Sequence, residues 1–353
     1  MHIITIKLYF VLVIFIFTAK GVSAQVPINL TSTRSAMIIS VPDDTEKGFA
    51  VRGDWKKIAR EAHDSFRKIG IDGVLYIYKD DLTAGPEITK AYNEVLIKRL
   101  VSNMISLEIT GTDYNLEYVL NIYPVKDAIE LNQSAYRVSS KSLNELMLVL
   151  GRQVLRQETP RTNFLITDQP EFLDDLVLYS GTRYVNVPSR IRSLGIAVIK
   201  FDSIAIPDNL SEIDRNTLIT KNLEISQANL ELDQIMKKYP FKYELVNFTN
   251  VESLYQKGYQ YALMPIISSG HTIKKMLNYK SNSSETVFIS EFSKKGEKAT
   301  LKKIPANGNM TKYYIKQTIV LDIHVGSRWD ADVTWQKALE NFIDNLKFDF
   351  NIE

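Results

Sequence analysis

The chain predicts an α/β fold, a mixed sheet covered by helices and arranged as two lobes joined by a long helix. Three observations lead there. Helical and strand periodicities alternate along most of the sequence. Several strands follow one another directly, which calls for antiparallel pairs in an otherwise parallel arrangement. The 353 residues, 45% of them hydrophobic and 24% charged, exceed the needs of one small domain and suffice for two.

The N-terminus comes first. Leu8 to Ala19 is an unbroken apolar run behind a short segment carrying Lys7, and Val22, Ser23 and Ala24 follow as small residues. That order predicts a secretory signal peptide over residues 1–24, cut after Ala24, with a periplasmic or secreted destination. The run is too short for a membrane span, which needs about 20 apolar residues, so no transmembrane segment is expected after cleavage. Removing Lys7 and Lys20 leaves 41 basic and 41 acidic side chains. A neutral balance argues against nucleic acid as a partner. There is no cysteine, so disulfides, thiolate metal sites and a cysteine nucleophile are excluded.

Residues 25–35, polar and rich in Ser and Thr, read as an exposed leader. An N-terminal lobe is expected over 36–160. Ala36 to Val41 is its first strand. Asp54 caps a helix whose Trp55, Ile58, Ala59, Ala62 and Phe66 share a face, and Gly70 ends it. Val74 to Tyr78 is a strand. Pro86 opens a helix over Glu87 to Val101. Met104 to Ile109 and Tyr114 to Tyr123 are paired strands, Ala135 to Ser139 a third, and Ser142 to Gln157 a leucine-faced helix. Residues 161–225 read as a connecting region holding a strand, Ile196 to Phe201, and the start of a long helix, Leu210 to Tyr239, and 226–353 as a C-terminal lobe. There Phe241 to Phe248 and Tyr259 to Ile267 are strands, and Thr286 to Phe292 with Thr300 to Ile304 a hairpin. Lys312 to Val325 reads as one long strand and Asp332 to Lys347 as the closing helix. Trp55–Gly151 and Leu230–Leu346 show similar element order, as a duplicated lobe would.

Common catalytic signatures are absent: there is no P-loop, HExxH, GxSxG or GxGxxG behind a strand. Downstream of residue 24 only His63, His271 and His324 remain. The densest cluster of ionisable residues is Asp322, His324, Asp330 and Asp332. Asp322 and His324, two apart on one strand, would face the same way with Lys316 and Thr318. The set could hold a divalent cation (Asp322, His324, Asp332) or supply acid–base chemistry (Asp322, His324, Asp330). The alternative is local: Asp332 as a helix cap and Arg328 as an ion-pair partner. Ser269, Gly270, His271 and Lys274, at a strand-to-helix junction, could hold an anion, or simply cap the helix. Asp80, Asp81, Gly85, Pro86 and Glu87 could line a cleft at the carboxyl end of a sheet, or serve as turn and cap. Tyr255, Tyr259, Tyr261, Tyr279, Tyr313 and Tyr314 suit a protein or glycan surface.

Gly48-Phe-Ala-Val-Arg-Gly-Asp-Trp-Lys56, Gly70-Ile-Asp-Gly-Val74 and Arg328-Trp-Asp-Ala-Asp-Val-Thr-Trp335 resemble uncharacterised exported bacterial envelope proteins, some loosely labelled as nucleoside triphosphatases. The resemblance supplies no catalytic residues. The expectation is an exported, envelope-associated protein that binds a partner without catalysis and needs no cofactor. A metal-assisted hydrolase of phosphate esters or nucleotides and a periplasmic small-molecule or glycan binder are the alternatives.

Overall fold

The computed structural model describes residues 25–112, 115–125, 136–173, 181–206, 212–280, 282 and 284–353, the side chains of 213 and 214 apart. The segment read as a signal peptide, 1–24, lies outside the described residues. Among those described, no helix is long and apolar enough to cross a membrane.

The fold is α/β with mixed sheets and helices packed around them. The first lobe runs β1 (Arg34–Ser40), a short hairpin of β2 (Asp43–Glu46) and β3 (Phe49–Arg52), α1 (Trp55–Ile69), β4 (Asp72–Tyr78), α2 (Lys79–Leu82), α3 (Pro86–Lys98), β5 (Val101–Thr110), β6 (Glu117–Pro124), β7 (Tyr136–Ser140) and α4 (Leu143–Arg156). Its sheet order is β4-β1-β5-β6-β7, the first three strands parallel and the last two antiparallel. β8 (Arg183–Tyr184) and α5 (Ile191–Leu194) follow. The second lobe runs β9 (Ile196–Ile199), α6 (Glu212–Met236), β10 (Tyr243–Val246), α7 (Val251–Gln256), β11 (Tyr261–Ser269), α8 (Gly270–Met276), the hairpin β12 (Val287–Phe292) and β13 (Thr300–Pro305), then β14 (Asn309–Gln317), β15 (Ile323–His324) and α9 (Trp335–Asp349). Its sheet order is β10-β9-β11-β14-β15-β8.

The two sheets repeat one scheme. In each, the second strand lies beside the first, the third lies on its other side, and two antiparallel strands continue outward. The helices repeat too. α1 and α4 cover one face of the first sheet, and α6 and α9 one face of the second. The remaining faces look at each other and form a single core from Ile38, Ile77 and Met104 with Ile199, Met264 and Tyr314, α3 lying between. Each large apolar side chain sealed there contributes about 1.5–3 kcal/mol.

This arrangement corrects three expectations. The second lobe begins at β9, inside the stretch 161–225, and the long helix is its first crossover instead of a link between lobes. Residues 25–35 are not an exposed leader: Val26 and Leu30 sit in the core against α1, and Ser32 and Thr33 hydroxyls donate to the Asn29 carbonyl. The expected strand Lys312–Val325 is two strands, folded back by a turn in which Leu321 takes φ 60°.

Local chemistry explains the helix ends. The Asp54 carboxylate accepts from the Lys57 amide, and Gly70 closes α1 at φ 94°. Pro86 stands in the first turn of α3. α9 is capped by Thr334, whose hydroxyl accepts from the Lys337 amide, and not by Asp332.

Candidate functional site

The ionisable cluster near the C-terminus is dispersed by the turn before β15. Ile323 pairs with Lys316 and His324 with Ile315, so Lys316 and His324 lie on opposite faces of the sheet. Asp322 accepts the Thr182 amide at 2.7 Å. The His324 Nδ1 donates to the Asn186 carbonyl at 2.8 Å, and its ring stacks on Tyr184. Asp330 is buried against Lys312. Asp332 pairs with Lys302 at 2.7 Å and accepts the Val333 amide. Among the described residues no three His, Asp or Glu side chains converge as metal ligands would.

His324 carries a consequence for stability. Among the described residues its Nε2 is buried without a partner, so a proton there would create an unsolvated cation. Burial pulls its pKa below the ordinary imidazole range, the Asn186 carbonyl and Asp322 opposing. The unfolded chain then binds a proton before the folded one. The stabilisation is intact above about pH 6.5 and fades as pH falls through that value toward the lowered folded pKa. In denaturant melts, wild type minus His324→Phe is expected to shrink across this window. A constant difference would contradict the assignment.

The anion candidates are absorbed by capping and packing. The Ser269 hydroxyl accepts the Thr272 amide and meets the Thr272 hydroxyl. Gly270 is small because a Cβ would lie 2.6 Å from the Met310 methyl and 2.8 Å from Phe288. The His271 amide donates to the Ala306 carbonyl. Lys274 lies over Phe288 and pairs with Glu285. Of the tyrosines, Tyr261, Tyr313 and Tyr314 belong to the core, and Tyr255 is exposed.

The acidic loop of the first lobe is a joint between lobes. Arg52 donates through Nη1 to Asp81, through Nη2 to Ser268 and through Nε to Asn309, while its guanidinium lies over Tyr78. Ser268 donates in turn to Asp81 at 2.6 Å. Burial pushes the Asp81 carboxyl up, and Arg52 opposes. Nearby, Glu87 on α3 faces Lys316 and accepts from the Tyr314 hydroxyl, both from β14. Asp80 precedes Asp81 within α2, and Gly85 leads into Pro86 at the start of α3.

A different feature stands out at the surface. Between α4 and Phe172 the chain forms a strap across the amino end of the first sheet. Thr162 and Asn163 amides donate to the Thr31 carbonyl, and the Asn163 side chain donates to Thr33 and Gly70 carbonyls. Further on, His63 Nε2 bonds the Thr167 carbonyl at 2.9 Å, with the Tyr76 hydroxyl on its Nδ1, and Arg67 pairs with Asp168. Between these anchors Phe164 is 83% exposed and Leu165 96%. The strap is held on both sides, yet its two apolar side chains make no core. Sequence periodicity gives no sign of this, because the anchors, backbone as well as side-chain bonds, join residues far apart in the chain.

No family model, curated protein or solved structure matches this chain.

Proposed function

We propose that this is an exported, envelope-associated binding protein that docks a protein partner through Phe164 and Leu165. The observation that carries the reading is the near-complete exposure of two adjacent large apolar side chains on a strap bonded down at Asn163 and Thr167. Single exposed apolar residues are ordinary. An adjacent pair held outward by a fixed backbone is the anchor that protein interfaces are built around, because little ordering entropy is lost when it is covered. The leader sequence supports the location, and the neutral charge directs the partnership toward apolar contact.

The test is capture from envelope extract by the purified mature protein. Wild type is expected to retain a defined partner, and the double variant Phe164→Ser, Leu165→Ser to lose it. Thermal unfolding should stay within error, since neither side chain packs inside. Undiminished capture by the variant would refute the docking role, as would a wild type that retains nothing specific.

A further inference from the structure

The inner face of the first sheet is divided. Over β4 and β1 it is apolar, and Ala36, Ile38, Leu75 and Ile77 join the interlobe core. Toward β7 it turns polar. Ser106 stands beside Ile38 and opposite Asn121, and Asn121 stands opposite Arg137. Tyr123 is opposite Met104, and Glu108 is opposite Val119. Directly opposed residues share a face, so Ser106, Glu108, Asn121, Tyr123 and Arg137 form one array. The fold does not demand this polarity. The third strand of the other lobe, β11, presents Ala262, Met264 and Ile266 to the same core.

Two groups of the array are buried with bonding capacity unused. Ser106 is 1% exposed and Tyr123 3%, and among the described residues neither hydroxyl has a hydrogen-bond partner. A hydroxyl left so is costly in a folded protein. The phenol lies toward the charged members. Burial raises its pKa, Glu108 adding to the effect and Arg137 opposing it. Lys79 cancels Glu108 through an ion pair of 2.6 Å. Arg137 is exposed and has no ion pair among the described residues, so one positive charge is left over. The array crosses β5, β6 and β7 near mid-sheet: Tyr123 stands level with Met104 and Ala36, and Arg137 and Asn121 stand level with Ser106.

We propose that this array binds a small hydroxylated carboxylate of the sugar-acid class, its carboxylate on Arg137 and its hydroxyls on Ser106, Asn121 and Tyr123. An arginine fork matches a carboxylate with two parallel bonds. Strands about 4.8 Å apart put β5 and β7 roughly 10 Å from each other, the span of a six-carbon acid. Hydroxyls that can both donate and accept suit a polyol, whose own hydroxyls do the same. The site is independent of the strap.

Calorimetric titration of the purified protein with glucuronate, glucose and acetate tests it. Glucuronate is expected to bind saturably, and glucose and acetate at least tenfold more weakly. Ser106→Ala and Tyr123→Phe should each weaken glucuronate about fivefold, the worth of one hydrogen bond. Their melting temperatures should hold or rise, because each removes a buried hydroxyl that is unbonded without ligand. Arg137→Gln should reduce glucuronate to the level of glucose. A flat glucuronate titration overturns the site. Glucose binding as tightly as glucuronate overturns its anionic half, and unchanged affinity in both hydroxyl variants overturns its assignment to Ser106 and Tyr123.

Discussion

Replacing Lys312 with Met is expected to destabilise the protein by about 3–5 kcal/mol, the loss that follows when one partner of a buried ion pair is removed. Lys312 is fully buried, and its three ammonium protons go to the Tyr313 carbonyl, the Val325 carbonyl and Asp330 Oδ1. Asp330 has little else, since Asn345 approaches its second oxygen at only 3.4 Å. Burial already raises its pKa against the pull of Lys312. Without the lysine, Asp330 is left as a charge with no counterion, or takes up a proton. The deficit of Lys312→Met should therefore narrow on acidification. The double variant Lys312→Met, Asp330→Asn should recover most of it, because replacing both members removes the uncompensated charge. Urea unfolding of the three proteins decides the matter. A single variant within 1 kcal/mol of wild type, or a double variant no better than the single, would show that the pair does not carry this stability.

Much of the fold was legible because it is local. Trp55, Ala59, Ala62 and Phe66 announce the buried face of α1, and Leu143, Leu146, Met147, Leu150 and Val154 that of α4. Asp54, Gly70 and Pro86 mark helix ends through backbone chemistry that acts within one turn. The start of the second lobe was not legible. β9 is four residues long, and its parallel partner β10 lies beyond the whole of α6. A short apolar run followed by a long helix reads as a connector until the pairing is seen. The turn after β14 is hidden for a related reason. Ile319, Val320 and Leu321 are apolar and continue a strand pattern, yet all three are exposed. Among site residues, Asp322 and His324 attracted notice through proximity in sequence, which the turn undoes. Ser106, Asn121 and Tyr123 come together only through strand register, so no spacing within the sequence points to them. Arg52 gives no signal for the same reason: its partners lie 29, 216 and 257 residues away.

Arg52 supports the second large prediction. It joins β3 and α2 of the first lobe to β11 and β14 of the second, and its pair with Asp81 is almost wholly buried. The backbone repeats the junction, with the Arg52 amide donating to Asn307 and the Ile267 amide to Ala84. Among the described residues Arg52→Met leaves the buried Asp81 side chain with only the Ser268 hydroxyl, and a loss of about 3–5 kcal/mol is expected. Arg52→Lys is the sharper test. An ammonium keeps the charge but cannot spread three donors across Asp81, Ser268 and Asn309 or lie flat over Tyr78. If the planar fork holds the lobes together, Arg52→Lys should lose at least half of what Arg52→Met loses. Amide exchange should then accelerate at Ser268, Ser269 and Ala84, on both sides of the junction, before it does in α1 or α9. If charge alone matters, Arg52→Lys will melt like wild type and those amides will stay protected. The distinction is physical: a charge neutralises Asp81 from any direction, whereas three directed bonds fix the angle at which two repeated sheets share one core.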